Sequence, residues 1–378
     1  MEALIFFWDY VVLFLIVLTV LVFVHELGHF LVARYNGVRV EVFSIGFGPE
    51  LVGWNDSKGT RWRIALLPLG GYVKMFGESG EIEVPNEEGD DDADIKTRKM
   101  TDEEIAVSFH HKKSKQRTAI VFAGPLANFA FTIVVLAGLF AVVGIPKPLS
   151  YVGGVVEKSA AAEAGFKVGD QVTAINAEAI KYFDDLRRIV GSSAGSKLTF
   201  NVTRDGKDVV LSAVPKAKSF TAEDGAQKSR GMLGVRYDPE KIVYERLNPF
   251  TAVWRGVERT AAMTMTILST LGQMIVGDEN PQQLRGVLGI AQISGDVAQR
   301  GFVEVIFFMA ALSLNLGLIN LFPIPMLDGG HLAFYAVEAV RGRPLGERAQ
   351  EYGFRFGLGL VLLLFLYATR NDILHFMN

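Results

Sequence analysis

The sequence predicts a polytopic α-helical membrane protein with four spans, a membrane-associated β-hairpin region beside the first span, and one soluble domain inserted between the second and third. Three observations carry that expectation. Half of the 378 residues are hydrophobic and only 21% are charged, with a mean hydropathy of +0.27, which is high for a soluble chain of this size. Apolar runs over residues 4–32, 119–145 and 303–321 match the ~20 residues a helix needs to cross a bilayer. Between the second and third runs the composition becomes that of a compact soluble domain.

The first run contains His25-Glu26-Leu27-Gly28-His29. With about 3.6 residues per turn, His25 and His29 share one helix face, one turn apart, as two ligands of one zinc ion require. Glu26 lies beside them, placed to act as base toward a water that the metal activates. An ionisable side chain at the centre of a membrane helix costs about 3 kcal/mol or more, so three within a turn and a half point to function rather than packing. The run is too long for a signal peptide and lacks a basic leading region, so it is expected to remain in the mature protein.

Residues 38–47 and 61–75 have strand-like composition broken by glycines and Pro68, and read as a small hairpin sheet next to the zinc helix. Residues 78–94 are acidic and read as a solvated loop. Lys112, Lys113, Lys115 and Arg117, together with Arg34 and Arg39, mark this connection as cytoplasmic. The first nine residues hold Glu2 and Asp9 and no basic residue, which fits the opposite side.

In the soluble segment, strands are expected at residues 152–156, 171–175, 197–203 and 209–214, with short helices at 160–164 and 183–190. Their order, and the stretch Ala164-Gly165-Phe166-Lys167-Val168-Gly169-Asp170 followed by Ile175-Asn176, resemble a bacterial PDZ domain. That resemblance implies a site for an extended peptide C-terminus, expected at the loop Tyr151, Val152, Gly153 and Gly154. The expected division is residues 1–150, membrane domain with the hairpin; 151–215, PDZ domain; 216–248, linker; and 249–378, membrane domain.

Residues 249–277 show a helical apolar period with Arg255, Glu258 and Arg259 near one end, a pattern that allows a surface helix or a crossing. The third run ends in Asn320-Leu321-Phe322-Pro323-Ile324-Pro325-Met326-Leu327-Asp328-Gly329-Gly330-His331, which cannot continue a regular helix. Irregular backbone at membrane depth is tolerated where protein or a water-filled cavity satisfies it. Catalytic zinc takes three protein ligands and keeps one open position, and Asp328 is the candidate for the third. Capping of a helix beginning near His331 is its competing role. Asp328 can meet the histidines only if the third span ends on the cytoplasmic side, so residues 260–276 should not cross; a crossing would separate the two halves by about 30 Å. A fourth span, over residues 356–368, is short and needs flanking residues to complete it. Arg341, Arg343, Arg348 and Arg355 then fall in a cytoplasmic loop.

Along nearly its whole length the chain resembles the site-2 protease family of intramembrane zinc metalloproteases, in particular bacterial regulators of sigma-E type. The resemblance rests on the HELGH motif, Gly70-Gly71-Tyr72-Val73-Lys74-Met75, Gly124-Pro125-Leu126-Ala127-Asn128, the PDZ domain and the NxxPxPxLDGG stretch. It implies His25, His29 and Asp328 as zinc ligands and Glu26 as catalytic base. It implies that the hairpin, with Gly70, Gly71, Tyr72 and Val73, holds the substrate as an extended strand, and that Asn128 and Asn320 lie near substrate or site. Two departures stand out: one PDZ domain rather than a tandem pair, and no proline after Gly286 in Leu284-Arg285-Gly286-Val287-Leu288-Gly289.

The resulting expectation is a zinc endopeptidase of the bacterial inner membrane, with its PDZ domain on the outer side, cutting a transmembrane segment of another protein. Such regulated intramembrane proteolysis serves substrates like an anti-sigma factor or remnant signal peptides. A membrane metal transporter is the alternative, and it would line a path with further acidic or histidine residues, which the spans lack. A non-catalytic PDZ scaffold is another, against which Glu26 speaks. With no cysteine, disulfides and thiolate chemistry are excluded, and no basic block suits nucleic acid.

Overall fold

The computed structural model describes residues 7–78, 82–84, 96–221, 227–278, 282, 284–343 and 345–377. The chain divides into two compact units, Met1–Gly138 with Phe250–Asn378, and Leu139–Pro249. In chain order the first unit begins with a short π-helical segment (Phe7–Val12) that leads into α1 (Leu13–Tyr35), then strands β1 (Val40–Asn55), β2 (Arg61–Met75), β3 (Ile82–Val84) and β4 (Lys96–Arg98), and helices α2 (Asp102–Val107) and α3 (Ser114–Val142). The inserted unit holds β5 (Ile145–Pro148), β6 (Val152–Val155), α4 (Ala160–Glu163), β7 (Gln171–Ile175), β8 (Glu178–Ala179), α5 (Phe183–Ser192), β9 (Leu198–Arg204), β10 (Lys207–Ala213), β11 (Lys216–Thr221), β12 (Gln227–Met232), β13 (Val235–Tyr237) and β14 (Ile242–Glu245). The chain then returns through α6 (Pro249–Val276), α7 (Val287–Arg300), α8 (Phe302–Asn320), α9 (Asp328–Arg341) and α10 (Glu347–Met377).

Among the described residues, four helices are long and apolar enough to cross a membrane: Tyr10–Tyr35, Ser114–Val142, Phe302–Asn320 and Arg348–Met377. The last is twice the length that its apolar run suggests, because Arg348, Arg355 and Arg370 flank that run without breaking the helix. α6 is absent from this set and buries only Ala252, Gly256 and Thr260, leaving Phe250, Trp254, Met265 and Ile275 exposed.

β1 and β2 build more than a simple hairpin. Val42 pairs with both Lys74 and Arg61, so the inner half of β1 lies between the two ends of a bent β2. The strip from Gly71 to Met75 therefore has a partner strand on one side only among the described residues, and at the end of its other edge the Met75 amide donates to Glu78 Oε1 at 3.4 Å. Phe43 is fully buried at the centre, stacked on Trp62 at 4.3 Å and edge-on to Phe30 at 5.4 Å, which fixes the sheet against α1. Asp56 at the turn accepts from Arg34, Trp62 and the Thr60 amide and ties the sheet to the end of that helix. Most of the acidic stretch expected as a loop lies outside the described residues.

α7 was not anticipated from the sequence. Its N-terminus is held by the buried Asp372 of α10, whose carboxylate accepts from the Gly286 and Gly289 amides at 3.0 and 2.9 Å, favourable at a helix start. Val287 occupies the first helical position, where a backbone donor has no partner inside the helix, so proline and valine both fit there.

The inserted unit has a four-stranded sheet in the order β10-β9-β7-β8 and a core that includes Val152, Ala161, Val172, Ile175, Leu186, Phe200 and Val202. The stretch 216–248 was expected as a linker, but its described residues hold β11 to β14. β13 pairs with β6, β14 pairs with β5, and Leu233 enters the core. These strands are short and rich in charge, so they carry no alternating apolar pattern for sequence reasoning to find. Ile145 opposes Glu245, so the chain enters and leaves this unit side by side.

Candidate metal centre

α1 presents His25 and His29 on one face, both only 8% exposed, and α9 presents Asp328 from its first turn. The Nε2 atoms of the two histidines are 3.2 Å apart. His25 Nε2 is 3.0 Å from Asp328 Oδ2, and His29 Nε2 is 3.5 Å from Asp328 Oδ1. A tetrahedral zinc ion with bonds of about 2.0–2.1 Å separates its ligand atoms by roughly 3.4 Å, so this spacing suits it. The N-cap of α9 is Leu327, and the Asp328 carboxylate faces the histidines instead of capping the helix.

The neighbours of each ring support the same fit. His29 Nδ1 lies 2.9 Å from the Ile120 carbonyl, an acceptor only, so Nδ1 carries the proton and Nε2 keeps its lone pair. Asp328 Oδ2 is buried with no hydrogen-bond donor among the described residues. Electron pairs on two imidazole nitrogens and a carboxylate thus converge in a largely buried site, an arrangement that a cation stabilises. Two imidazoles and a carboxylate are also a donor set that catalytic zinc accepts with a fourth position open.

α3 passes close behind the rings because of glycines. A Cβ at Gly124 would lie 2.2 Å from His29 Nε2, and one at Gly28 would lie 2.3 Å from the Ala123 carbonyl oxygen. Within the quoted motifs these glycines carried no assigned role; the close approach of the two helices gives them one. The Ile120 carbonyl was invisible to sequence reasoning, since every residue has one.

Asn128 is fully buried with its amide Nδ2 3.1 Å from His25 Nδ1, which places it behind the ring rather than on a substrate surface. Its backbone carbonyl accepts from Thr132 and from Ser313 of α8, locking α3 to α8 at this level. Asn320 does face the centre, with Nδ2 3.4 Å from His25 Nε2. A cavity of about 890 Å³ opens here, lined by His25, Glu26, His29, Asn320 and Asp328 on one side and by Gly70, Gly71, Tyr72 and Val73 on the other. Gly71 sits so close to Glu26 that an added Cβ would approach its Cγ to 3.3 Å. His331 also lines the cavity but stands outside the ligand cluster, its ring 5.5 Å from that of Phe354.

In the inserted unit, Tyr151, Val152, Gly153 and Gly154 do not form an open loop. Tyr151 bridges to Gln171, Val152 donates to the Asp170 carbonyl, and Val152 and Gly154 pair with Tyr237 and Arg236 of β13. The chain's own backbone flanks Tyr151 and Val152 on both sides and Gly154 on one, so the segment belongs to the sheet rather than to an open loop.

A family model described as peptidase family M50 matches residues 13–364. A protein of Agrobacterium fabrum named as a zinc metalloprotease is 42% identical over 370 residues, covering 97% of this chain and 96% of its own length. The metalloprotease MmpA of Caulobacter vibrioides is 38% identical over 375 residues, covering 95% and 94%. Among solved structures, the PDZ domain of an SdrC-like protein from Listeria monocytogenes is 20% identical, with a TM-score of 0.19, over 24% of this chain and 87% of that domain.

Proposed function

Because the chain belongs to peptidase family M50 and is a multi-pass zinc metalloprotease, we propose that it cleaves a transmembrane segment of another membrane protein near the cytoplasmic side of a bacterial inner membrane. The observation that carries this reading is the shared cavity. It sets Glu26, His25 and His29, on a helix apolar enough to span, and Asp328, at the start of the helix that follows another such helix, opposite a strand whose outer edge has no partner strand among the described residues.

Each residue then has a task. His25, His29 and Asp328 hold zinc, and zinc when bound supplies Lewis acidity that polarises the scissile carbonyl and acidifies water. Glu26 takes the proton of the attacking water and returns it to the leaving amine nitrogen. The strip from Gly71 to Met75 accepts the substrate as an added strand through main-chain hydrogen bonds. A helical substrate must unwind first, because a helix keeps its backbone groups bonded to itself. Asn320, whose Nδ2 lies 3.4 Å from His25 Nε2, donates to the substrate carbonyl in this reading. The inserted unit, on the outer side, limits access to substrates whose outer regions have been trimmed.

The test uses purified protein and a model substrate with one membrane-spanning segment. Glu26→Gln should keep near-stoichiometric zinc and lose cleavage, whereas His25→Ala, His29→Ala and Asp328→Ala should lose both. A Glu26→Gln protein that still cuts would remove Glu26 from its role as base. A wild-type enzyme that cuts soluble peptides and spares the membrane segment would overturn the substrate class.

A further inference from the structure

The third ligand stands on a half-buried helix. α9 fully buries only Gly329 and Gly330, in its first turn, and is reached through a turn with two prolines in which Met326 adopts a φ of 90°. Its early turns also pack the His331 and Phe334 rings against Phe354 of α10, at 5.5 and 5.8 Å. Beyond Asp328, one side-chain ion pair ties α9 to another helix among the described residues. Arg117 Nη2 of α3 lies 2.6 Å from Glu338 Oε1, with the two side chains 13% and 18% exposed. The same guanidinium lies 4.8 Å from the centre of the Tyr335 ring, so it grips two residues that share one face of α9.

Arg117 is not an arbitrary point on α3. Arg117, Ile120, Gly124 and Asn128 recur every three or four residues, which places them on one stripe of the helix. Ile120 fixes the His29 tautomer, Gly124 admits the His29 ring and Asn128 backs His25. The stripe that sets both histidines thus also carries the clamp on the helix bearing Asp328. We infer that Arg117 and Glu338 are positioning residues, holding α9 at the distance from α1 at which Asp328 completes the metal site. The inference rests on the zinc-site reading above. Loss of either partner leaves a poorly solvated charge unpaired, which drives the two helices apart.

The experiment compares the full chain with Arg117→Gln, Glu338→Gln and the exchanged pair Arg117→Glu with Glu338→Arg. One readout is the rate at which a chelator strips zinc, and another is the absorption spectrum of the cobalt-substituted protein. A third needs no metal: because the chain has no cysteine, spin labels at Lys115→Cys and Arg341→Cys report the α3 to α9 distance. Each single variant should lose zinc about 10-fold faster, as when a supporting partner of a metal ligand is removed. Its cobalt spectrum should move toward that of Asp328→Ala, its label distance should broaden, and the exchanged pair should restore all three. Single variants with wild-type zinc loss and label distance would overturn the inference, as would an exchanged pair as impaired as the singles. Wild-type protein that takes up no zinc would instead defeat the metal-site reading, and the label distances would still decide whether the pair holds α9.

Discussion

The side-chain amide of Asn128 lies 3.1 Å from Nδ1 of His25, while its own Oδ1 is buried without a hydrogen-bond partner. Oxygen and nitrogen of an amide exchange places by a half-turn of the group. With Oδ1 turned to the ring, Nδ1–H donates to it and the His25 Nε2 lone pair is left for zinc, as the Ile120 carbonyl arranges for His29. Two histidines one turn apart are thus set by two different acceptors on the same neighbouring helix.

Asn128→Leu should therefore weaken zinc binding about 10- to 100-fold, the usual cost of removing a partner that orients a ligand. Asn128→Asp, which can only accept while ionised, should retain more zinc than the leucine variant. Zinc retained against a graded chelator series measures both, and equal retention by wild type and Asn128→Leu would defeat the orienting role.

Gly124→Ala should be more damaging than its size suggests. The added methyl falls on His29 Nε2, so either the ring turns away or α3 moves off α1. Overpacking of this kind costs about 1–3 kcal/mol, and here it also displaces a proposed ligand. The variant should bind zinc like His29→Ala, whereas Gly138→Ala, where a Cβ would meet nothing within 4 Å, should behave as wild type.

The proposed topology has α6 on the membrane surface, so that α8 ends on the cytoplasmic side with Asp328. A membrane-impermeant thiol reagent applied from outside should modify Ser193→Cys and spare Gly342→Cys. Outside modification at position 342 would mean that the second half of the chain is inverted relative to the charge pattern.

Access control is a separate question, and the paired entrance and exit of the inserted unit make it testable. Residues 145–245 can be replaced by a short glycine link, because β5 and β14 bring the two ends together. The shortened protein should keep its zinc and cut substrates with bulky outer regions that the intact protein rejects. Unchanged discrimination would reduce the unit to a spacer.

The inserted unit should also carry an acid-sensitive tie. Burial works to raise the Asp170 carboxyl, but the Arg204 guanidinium at 2.7 and 2.8 Å and the Lys167 amide at 2.8 Å outweigh it and hold the carboxyl below its usual value. A folded-state value below the unfolded one stabilises fully above the unfolded value of about 3.9 and loses that contribution as pH falls through the folded value. Melting of the unit should shift to lower temperature on acidification from about pH 5 to pH 3, and Arg204→Gln should flatten that dependence.

The sequence by itself determined the paired histidines and the helices of membrane length, though not α7. The one-turn spacing of His25 and His29 places both on one face by helix geometry alone, and apolar runs of membrane length need no partner to be recognised. Strands β1 and β2 were legible because valine, isoleucine and aromatics cluster between turn glycines, as were β7, β9 and β10. Tertiary structure alone decided the rest. The broken backbone around Asp328 made it the candidate third ligand, but about three hundred residues separate it from the histidines, and the packing of α1, α3, α8 and α9 decides that they meet. The bent pairing of β2 on both sides of β1, the Ile120 carbonyl, and the enclosure of Tyr151 to Gly154 by β13 all depend on which segments meet. Backbone groups and charged edge strands have no sequence signature, because the partner rather than the residue makes them specific.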